Sequence, residues 1–130
     1  MNKKRISSSR IIHLALNEIF VFGSNLQGMH GGGAARFAYE HFGAVWGQGV
    51  GLYGQSYAIP TMHGGLEVVA PHIEEFIEYA KQHPELRFLV TKVGCGVAKF
   101  HPNQIAPLFA SAAELPNVFL PAEFWLHIKH

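Results

Sequence analysis

The stretch from Asn17 to Phe42 constrains the fold more than any other part of this sequence. It opens with an uncharged apolar run, Ile19–Phe22, which is typical of a strand buried on both faces. Glycines then occupy positions 23, 28, 31, 32 and 33, and from Ala34 the apolar spacing is that of an amphipathic helix. The stretch predicts a strand, a glycine-rich turn and a helix. Such a turn is either only a tight connection or an anion site formed by free N–H groups and the helix dipole.

A second glycine-rich turn follows another apolar run. The segment Arg87–Val93 predicts a strong strand, and it continues directly into Gly94–Phe100. A further helix is expected after this turn, capped near Asn103 and with Pro107 in its first turn or at a bend. The two glycine-rich turns therefore have the same setting, after a strand and before a helix.

The remaining segments alternate in type. Apolar runs predict strands over 11–16, 55–60 and 118–120, and the clearest helix covers Pro71–Gln82 with Pro71 in its first turn. This alternation predicts an α/β fold whose parallel or mixed sheet is covered by helices on both faces. Both glycine-rich turns would then lie at the carboxyl ends of strands and border one cleft, where ligands bind in such sheets.

A third glycine-rich segment, Gly43–Gly54, also contains Trp46 and Tyr53. One interpretation is a mobile surface loop. The other is a second wall of the cleft, with an aromatic ring available for stacking on a ligand.

Composition limits the partners. The chain has 130 residues, 15% of them charged, and a formal net charge of +1. It therefore carries no general field that would attract nucleic acid or an anionic membrane. Residues 1–10 predict a flexible basic N-terminus, and residues 11–130 predict one domain. A single cysteine excludes an intrachain disulfide, and the absence of a signal peptide or a long apolar run predicts a cytoplasmic protein.

The nine histidines do not form a metal-binding motif. His30, His63, His72 and His101 are scattered, and neither H-x-x-x-H nor H-E-x-x-H occurs. We therefore expect no metal site and no cofactor.

The two turns together resemble the ligand loops of the macrodomain family. The first reads Gly23-Ser-Asn25-Leu, a spacer, and then Gly31-Gly-Gly-Ala-Ala, and the second reads Thr91-Lys-Val-Gly-Cys-Gly-Val-Ala-Lys-Phe100. The second is most similar to the terminal ADP-ribose glycohydrolase branch. The resemblance covers roughly Ile19–Phe109. It implies a three-layer αβα fold with a mixed central sheet and a ligand that is ADP-ribose or a related nucleotide diphosphate.

The resemblance also implies roles for individual residues. Asn25 matches the asparagine that contacts ribose, and backbone N–H groups of both turns would bind the diphosphate. The implied ligand-binding residues are Gly23, Ser24, Asn25, Gly31, Gly32, Gly33, Gly94, Cys95, Gly96, Val97, Ala98 and Phe100. Asn25 and His30 are the candidate catalytic residues, the latter as general base. Cys95 is expected to be a small buried apolar residue rather than a nucleophile.

Two departures from the family pattern concern catalysis. Hydrolytic macrodomains often have an aspartate just after the glycine run, where this chain has Ala34-Ala-Arg36. The glycohydrolase branch has an acid shortly after Gly-Cys-Gly, where this chain has Ala98. Three hypotheses follow: a module that binds ADP-ribose, a hydrolase that removes ADP-ribose from a protein, nucleic acid or small molecule, and an interaction module with a degenerate site. The sequence leaves the oligomeric state open.

Overall fold

The chain forms an α/β fold around a mixed six-stranded sheet. The structure is a computed structural model, and it describes residues 4–128. Within these residues the strands lie in the order β1-β6-β5-β2-β4-β3, and only the pairing of β3 with β4 is antiparallel. Their bounds are β1 Ile6–Ser7, β2 Glu18–Ser24, β3 Gly51–Tyr53, β4 Ser56–Pro60, β5 Arg87–Val90 and β6 Val118–Pro121.

Residues 4–128 also contain four α-helices and one 3₁₀ helix. They are α1 Gly33–His41, α2 Leu66–Gln82, α3 Pro102–Ile105, the 3₁₀ helix Ala106–Glu114, and α4 Ala122–Trp125. None of the helices within residues 4–128 has the length and apolarity needed to cross a bilayer.

The central strand β2 contributes its two faces to two different hydrophobic clusters. Ile19 and Val21 belong to the larger cluster, which includes the apolar face of α2 and the four buried residues of the 3₁₀ helix. Phe20 and Phe22 belong to a smaller cluster with Ala38 of α1. The uncharged run predicted as a strand buried on both faces is therefore confirmed, because alternate side chains of a strand point to opposite faces.

Several local predictions differ from the structure. Residues 11–16 form no strand, although Ile11 and Leu14 pack against the smaller cluster. Helix α2 begins at Leu66, so Pro71 lies inside it rather than in its first turn. Pro71 is exposed, and the long apolar stripe of α2 outweighs the one backbone hydrogen bond that proline cannot make. The helix after the second turn is capped by His101 and Gln104 rather than near Asn103.

The N-terminal segment is attached to the sheet. Ile6 and Ser7 pair in parallel with Leu120 and Pro121, and the Ser7 hydroxyl donates to the Val90 carbonyl at 2.6 Å. The Arg5 guanidinium donates to the carbonyls of Val118 and Ala113 at 3.1 and 2.7 Å. These contacts differ from the flexible N-terminus expected over 1–10. Residues 1–3 of that segment, and the last two residues of the expected domain 11–130, lie outside the described part.

Candidate functional site

The two glycine-rich turns meet at one cleft. They follow β2 and β5, which are adjacent parallel strands, so both lie at the same edge of the sheet. They approach so closely that a Cβ atom on Gly23 would lie 3.2 Å from the backbone nitrogen of Gly94 and 3.3 Å from the Thr61 hydroxyl. The cleft beside them has a volume of about 1160 Å³. This is the juxtaposition that the order of strands and turns predicted.

Most of the predicted ligand-binding residues line this cleft. The lining set includes Gly23, Ser24, Asn25, Gly31, Gly32, Gly33, Gly94, Cys95, Gly96, Val97 and Ala98. Phe100 does not line it; its ring packs against the larger hydrophobic cluster and lies close to Gly94. Phe100 is therefore not in the ligand-binding position that the resemblance implied.

Asn25 shapes the first turn. Its side-chain oxygen accepts the Met29 N–H at 2.9 Å, and its amide nitrogen donates to the Met29 carbonyl at 3.0 Å. The Gly28 N–H closes the same turn on the Asn25 carbonyl at 2.9 Å. An amide group has two donors and two acceptor lone pairs, so Asn25 can hold the turn and still offer a second hydrogen bond to a ligand.

The first turn ends at an uncapped helix N-terminus. Gly32, the N-cap of α1, has no side chain to cap the helix, and the first turn of α1 contains no acidic residue. Within residues 4–128, the N–H groups from Gly31 to Ala35 donate to no protein atom. They line the cleft, where the positive end of the helix dipole favours an anion.

The second turn offers a comparable set of donors. The N–H groups of Cys95, Lys99 and Phe100 bond to the carbonyls of Lys92, Gly96 and Gly94, which closes the turn on itself. In the described part of the chain, the N–H groups of Gly94, Gly96, Val97 and Ala98 have no such partner. Gly94 has φ of +78°, a conformation in which glycine is strongly favoured over other residues.

In the described part of the chain, three charged residues border the cleft, and the sequence motifs gave none of them a role in a site. They are Arg10, Lys92 and Glu123. The Lys92 ammonium lies 3.4 Å from the Glu123 carboxylate. The pKa of the Glu123 carboxyl is lowered, mainly because the carboxylate accepts a hydrogen bond from the backbone N–H of Glu123 itself. The hydrogen bond and the charge of Lys92 lower this pKa further. This carboxylate is therefore ionised at neutral pH.

His30 lies outside the cleft, so the prediction that it acts there as a general base is wrong. Its side chain is 1% exposed, and its Nε2 lies 3.0 and 3.1 Å from the carbonyl oxygens of Val45 and Gln48. Because both partners are acceptors, Nε2 carries the proton. The ring packs edge-on against Phe22 and Trp46, and its Nδ1 is buried without a partner among the described residues.

The Gly43–Gly54 segment supports the first turn from behind. The Gly47 N–H donates to the Gly28 carbonyl at 2.9 Å, and the Ser24 hydroxyl donates to the Gly49 carbonyl at 2.5 Å. No residue of this segment is among those that line the cleft in the described part of the chain. The interpretation of the segment as a second cleft wall is therefore wrong. Gly43, Gly49 and Gly54 instead allow close backbone packing, since a Cβ atom at each would meet backbone atoms.

Cys95 borders the cleft but is not an activated thiol. Burial raises the pKa of the Cys95 thiol. Smaller effects come from Lys92, which lowers this pKa, and from Glu123, which raises it. A raised pKa leaves little thiolate at neutral pH, and the thiolate is the nucleophilic form. The residues from 4 to 128 also contain no cluster of three histidine, cysteine or acidic side chains that could hold a metal ion.

Comparisons with protein-family models, with curated proteins and with solved structures found no match to this chain. The function must therefore be inferred from the chemistry of the cleft itself.

Proposed function

We propose that this chain is a macrodomain-like module with a three-layer αβα arrangement that binds ADP-ribose or a related nucleotide diphosphate. In this proposal the diphosphate lies between the turn after β2 and the turn after β5. The two sets of backbone N–H groups bind its oxygens, and the nucleoside occupies the remainder of the cleft.

The observation that carries the proposal is the convergence of unpaired backbone donors from two directions. Gly31–Ala35 provide one set, and Gly94 with Gly96–Ala98 provides the other. A diphosphate has several anionic oxygens and needs donors on more than one side. Backbone amides in glycine turns meet that need without bulky side chains. In the described residues, no side chain of the protein itself occupies either set of donors. This open cleft argues against the hypothesis of an interaction module with a degenerate site.

The apolar part of the cleft favours a nucleotide over a small inorganic anion. Phe20 and Phe37, whose ring centroids are 6.4 Å apart, line it together with Ile11 and Ile12. Such a surface suits the flat face of an adenine ring, while pyrophosphate alone would leave it uncovered.

Calorimetry and thermal unfolding with ADP-ribose, ADP and adenosine test the proposal. We expect the two diphosphates to bind and adenosine to bind much more weakly, because adenosine lacks the group that the free N–H donors recognise. At a ligand concentration of about 100 times Kd, binding adds about 2.7 kcal/mol to the free energy of unfolding, which raises the Tm by roughly 10 °C. No heat and no thermal shift with millimolar ADP-ribose would rule the proposal out.

Hydrolysis of an ADP-ribosyl bond is a second candidate, and Glu123 is the observation that favours it. This ionised carboxylate borders the cleft and could accept a proton from an attacking water, which neither the buried His30 nor the neutral Asn25 is placed to do. The test is the release of free ADP-ribose from an ADP-ribosylated protein. Release by the wild type and its loss in Glu123→Gln would establish turnover. Release that persists in Glu123→Gln would exclude this residue as the base.

A further inference from the structure

The N-terminal segment forms one wall of the cleft. Residues 6–12 all line it, together with residues of the two glycine-rich turns. Strand β1 attaches this wall to the edge of the sheet, and the Ser7 hydroxyl bonds to the last residue of β5. Beyond the strand, the Ser8 hydroxyl accepts the Arg10 N–H at 3.1 Å and lies 3.2 Å from the Arg10 carbonyl oxygen. The backbone of Arg10 is therefore held at the cleft by a local turn.

Arg10 is the cation of the cleft whose charge is not neutralised. Lys92, the other cation, forms an ion pair with Glu123. Within residues 4–128, the guanidinium of Arg10 has neither a hydrogen bond nor an ion pair, and Arg10 is exposed. Because Lys92 and Glu123 neutralise each other, Arg10 gives the cleft a net positive charge, in addition to the two sets of free N–H groups. A guanidinium also matches the oxygens of a phosphate with two parallel hydrogen bonds.

We propose that Arg10 binds the diphosphate of the bound nucleotide and gives the cleft its preference for phosphorylated ligands. This inference rests on the proposed function, and it assigns a residue that the two glycine-rich turns do not contain. The turns provide geometry through neutral N–H groups, and Arg10 provides the full positive charge. The N-terminal segment is then part of the binding site rather than a tail.

The experiment compares Arg10→Gln and Arg10→Lys with Lys81→Gln as the matched control. Lys81 is an exposed residue in the last turn of α2, and it does not line the cleft, so its substitution removes the same charge elsewhere. Dissociation constants for ADP-ribose, pyrophosphate and adenosine are measured by calorimetry at low and high salt. Thermal unfolding of each variant verifies its fold.

We expect Arg10→Gln to weaken ADP-ribose and pyrophosphate binding by about tenfold or more at low salt, because a charge-assisted hydrogen bond to phosphate is lost. Arg10→Lys should retain part of the affinity, and adenosine binding should be unchanged. The affinity of Arg10→Gln should also depend less on salt. Lys81→Gln should stay within about twofold of the wild type.

Each contrary result has its own meaning. If the wild type binds ADP-ribose and Arg10→Gln binds it equally well, the role of Arg10 is refuted while the proposed function stands. An equal loss of affinity in Lys81→Gln would indicate a general charge effect and would also refute a specific role. A wild type that binds none of the phosphates overturns both the inference and the proposed function.

Discussion

Replacing Gly32 or Gly96 by valine should abolish detectable ADP-ribose binding and leave the fold intact. A Cβ atom at either position meets no protein atom within 4 Å, and neither residue has positive φ. The valine side chain would therefore extend into open cleft, where it would occupy the space of the diphosphate and cover the neighbouring N–H groups. We expect Kd to rise by about 100-fold or more, because several phosphate hydrogen bonds are lost together.

The measurement is calorimetry with ADP-ribose, accompanied by thermal unfolding of each variant. Ala110→Val is the matched control, since Ala110 is exposed on the 3₁₀ helix and does not line the cleft. The Gly32 substitution also replaces an N-cap glycine by a residue that caps poorly, so we expect that variant alone to lose about 1 kcal/mol of stability. Binding that survives both substitutions would mean that the nucleotide does not lie between the turns.

The predictable part of the fold is the part whose signal is local. The apolar run at Ile19–Phe22 identified a strand from its own residues, and so did the run that begins at Arg87. Once both were strands of a parallel sheet, the turns after them had to share one edge, and the cleft followed from that geometry. The segment 11–16 shows the limit of this reasoning. Ile11 and Leu14 of this segment pack against the smaller cluster without joining the sheet, a result that depends on tertiary contacts.

Arg10 and Glu123, which lie outside both glycine-rich turns, reach the cleft through contacts between distant parts of the chain. Strand β1 has only two residues, and it exists because Ile6 pairs with Leu120. Arg10 and Glu123 are brought to the same cleft from opposite ends of the sequence. No pattern within a short window contains that information. A signal that could have identified Glu123 is its position just after the last strand, Val118–Pro121, whose end lies at the same edge of the sheet as the two turns.

His30 shows why adjacency in sequence is weak support for a catalytic role. It precedes Gly31, which borders the cleft, yet its ring points into a cluster with Phe22 and Trp46. The glycines that follow it allow the chain to turn, so neighbouring residues face different compartments. The direction of one side chain in such a turn is set by packing, and the spacing of residue types does not encode it.

The Gly43–Gly54 segment determines the shape of the first turn through backbone contacts. Gly49 is buried directly behind Asn25, and its carbonyl accepts the Ser24 hydroxyl. A Cβ atom on Gly49 would overlap the Asn25 carbonyl oxygen and lie 3.1 Å from the carbonyl carbon of Leu26. These are backbone atoms, which cannot rotate away as a flexible side chain can. Only a displacement of one loop from the other would relieve the overlap.

Gly49→Ala should therefore destabilise the protein and weaken ligand binding, although the substitution lies outside the cleft. We expect a loss of about 3 kcal/mol in the free energy of unfolding and a Tm lower by roughly 10 °C, because overpacking against a backbone forces the loop to shift. Affinity for ADP-ribose should fall as well, since the displaced first turn carries Asn25 and leads into the donors of α1. Denaturant unfolding and calorimetry measure the two effects.

Gly31→Ala is the matched control, because it adds the same methyl group to the first turn at a position with no neighbour within 4 Å. The stability of this variant should therefore match that of the wild type. If Gly49→Ala were as stable as Gly31→Ala, the close packing of these two loops would not be what holds the first turn in place.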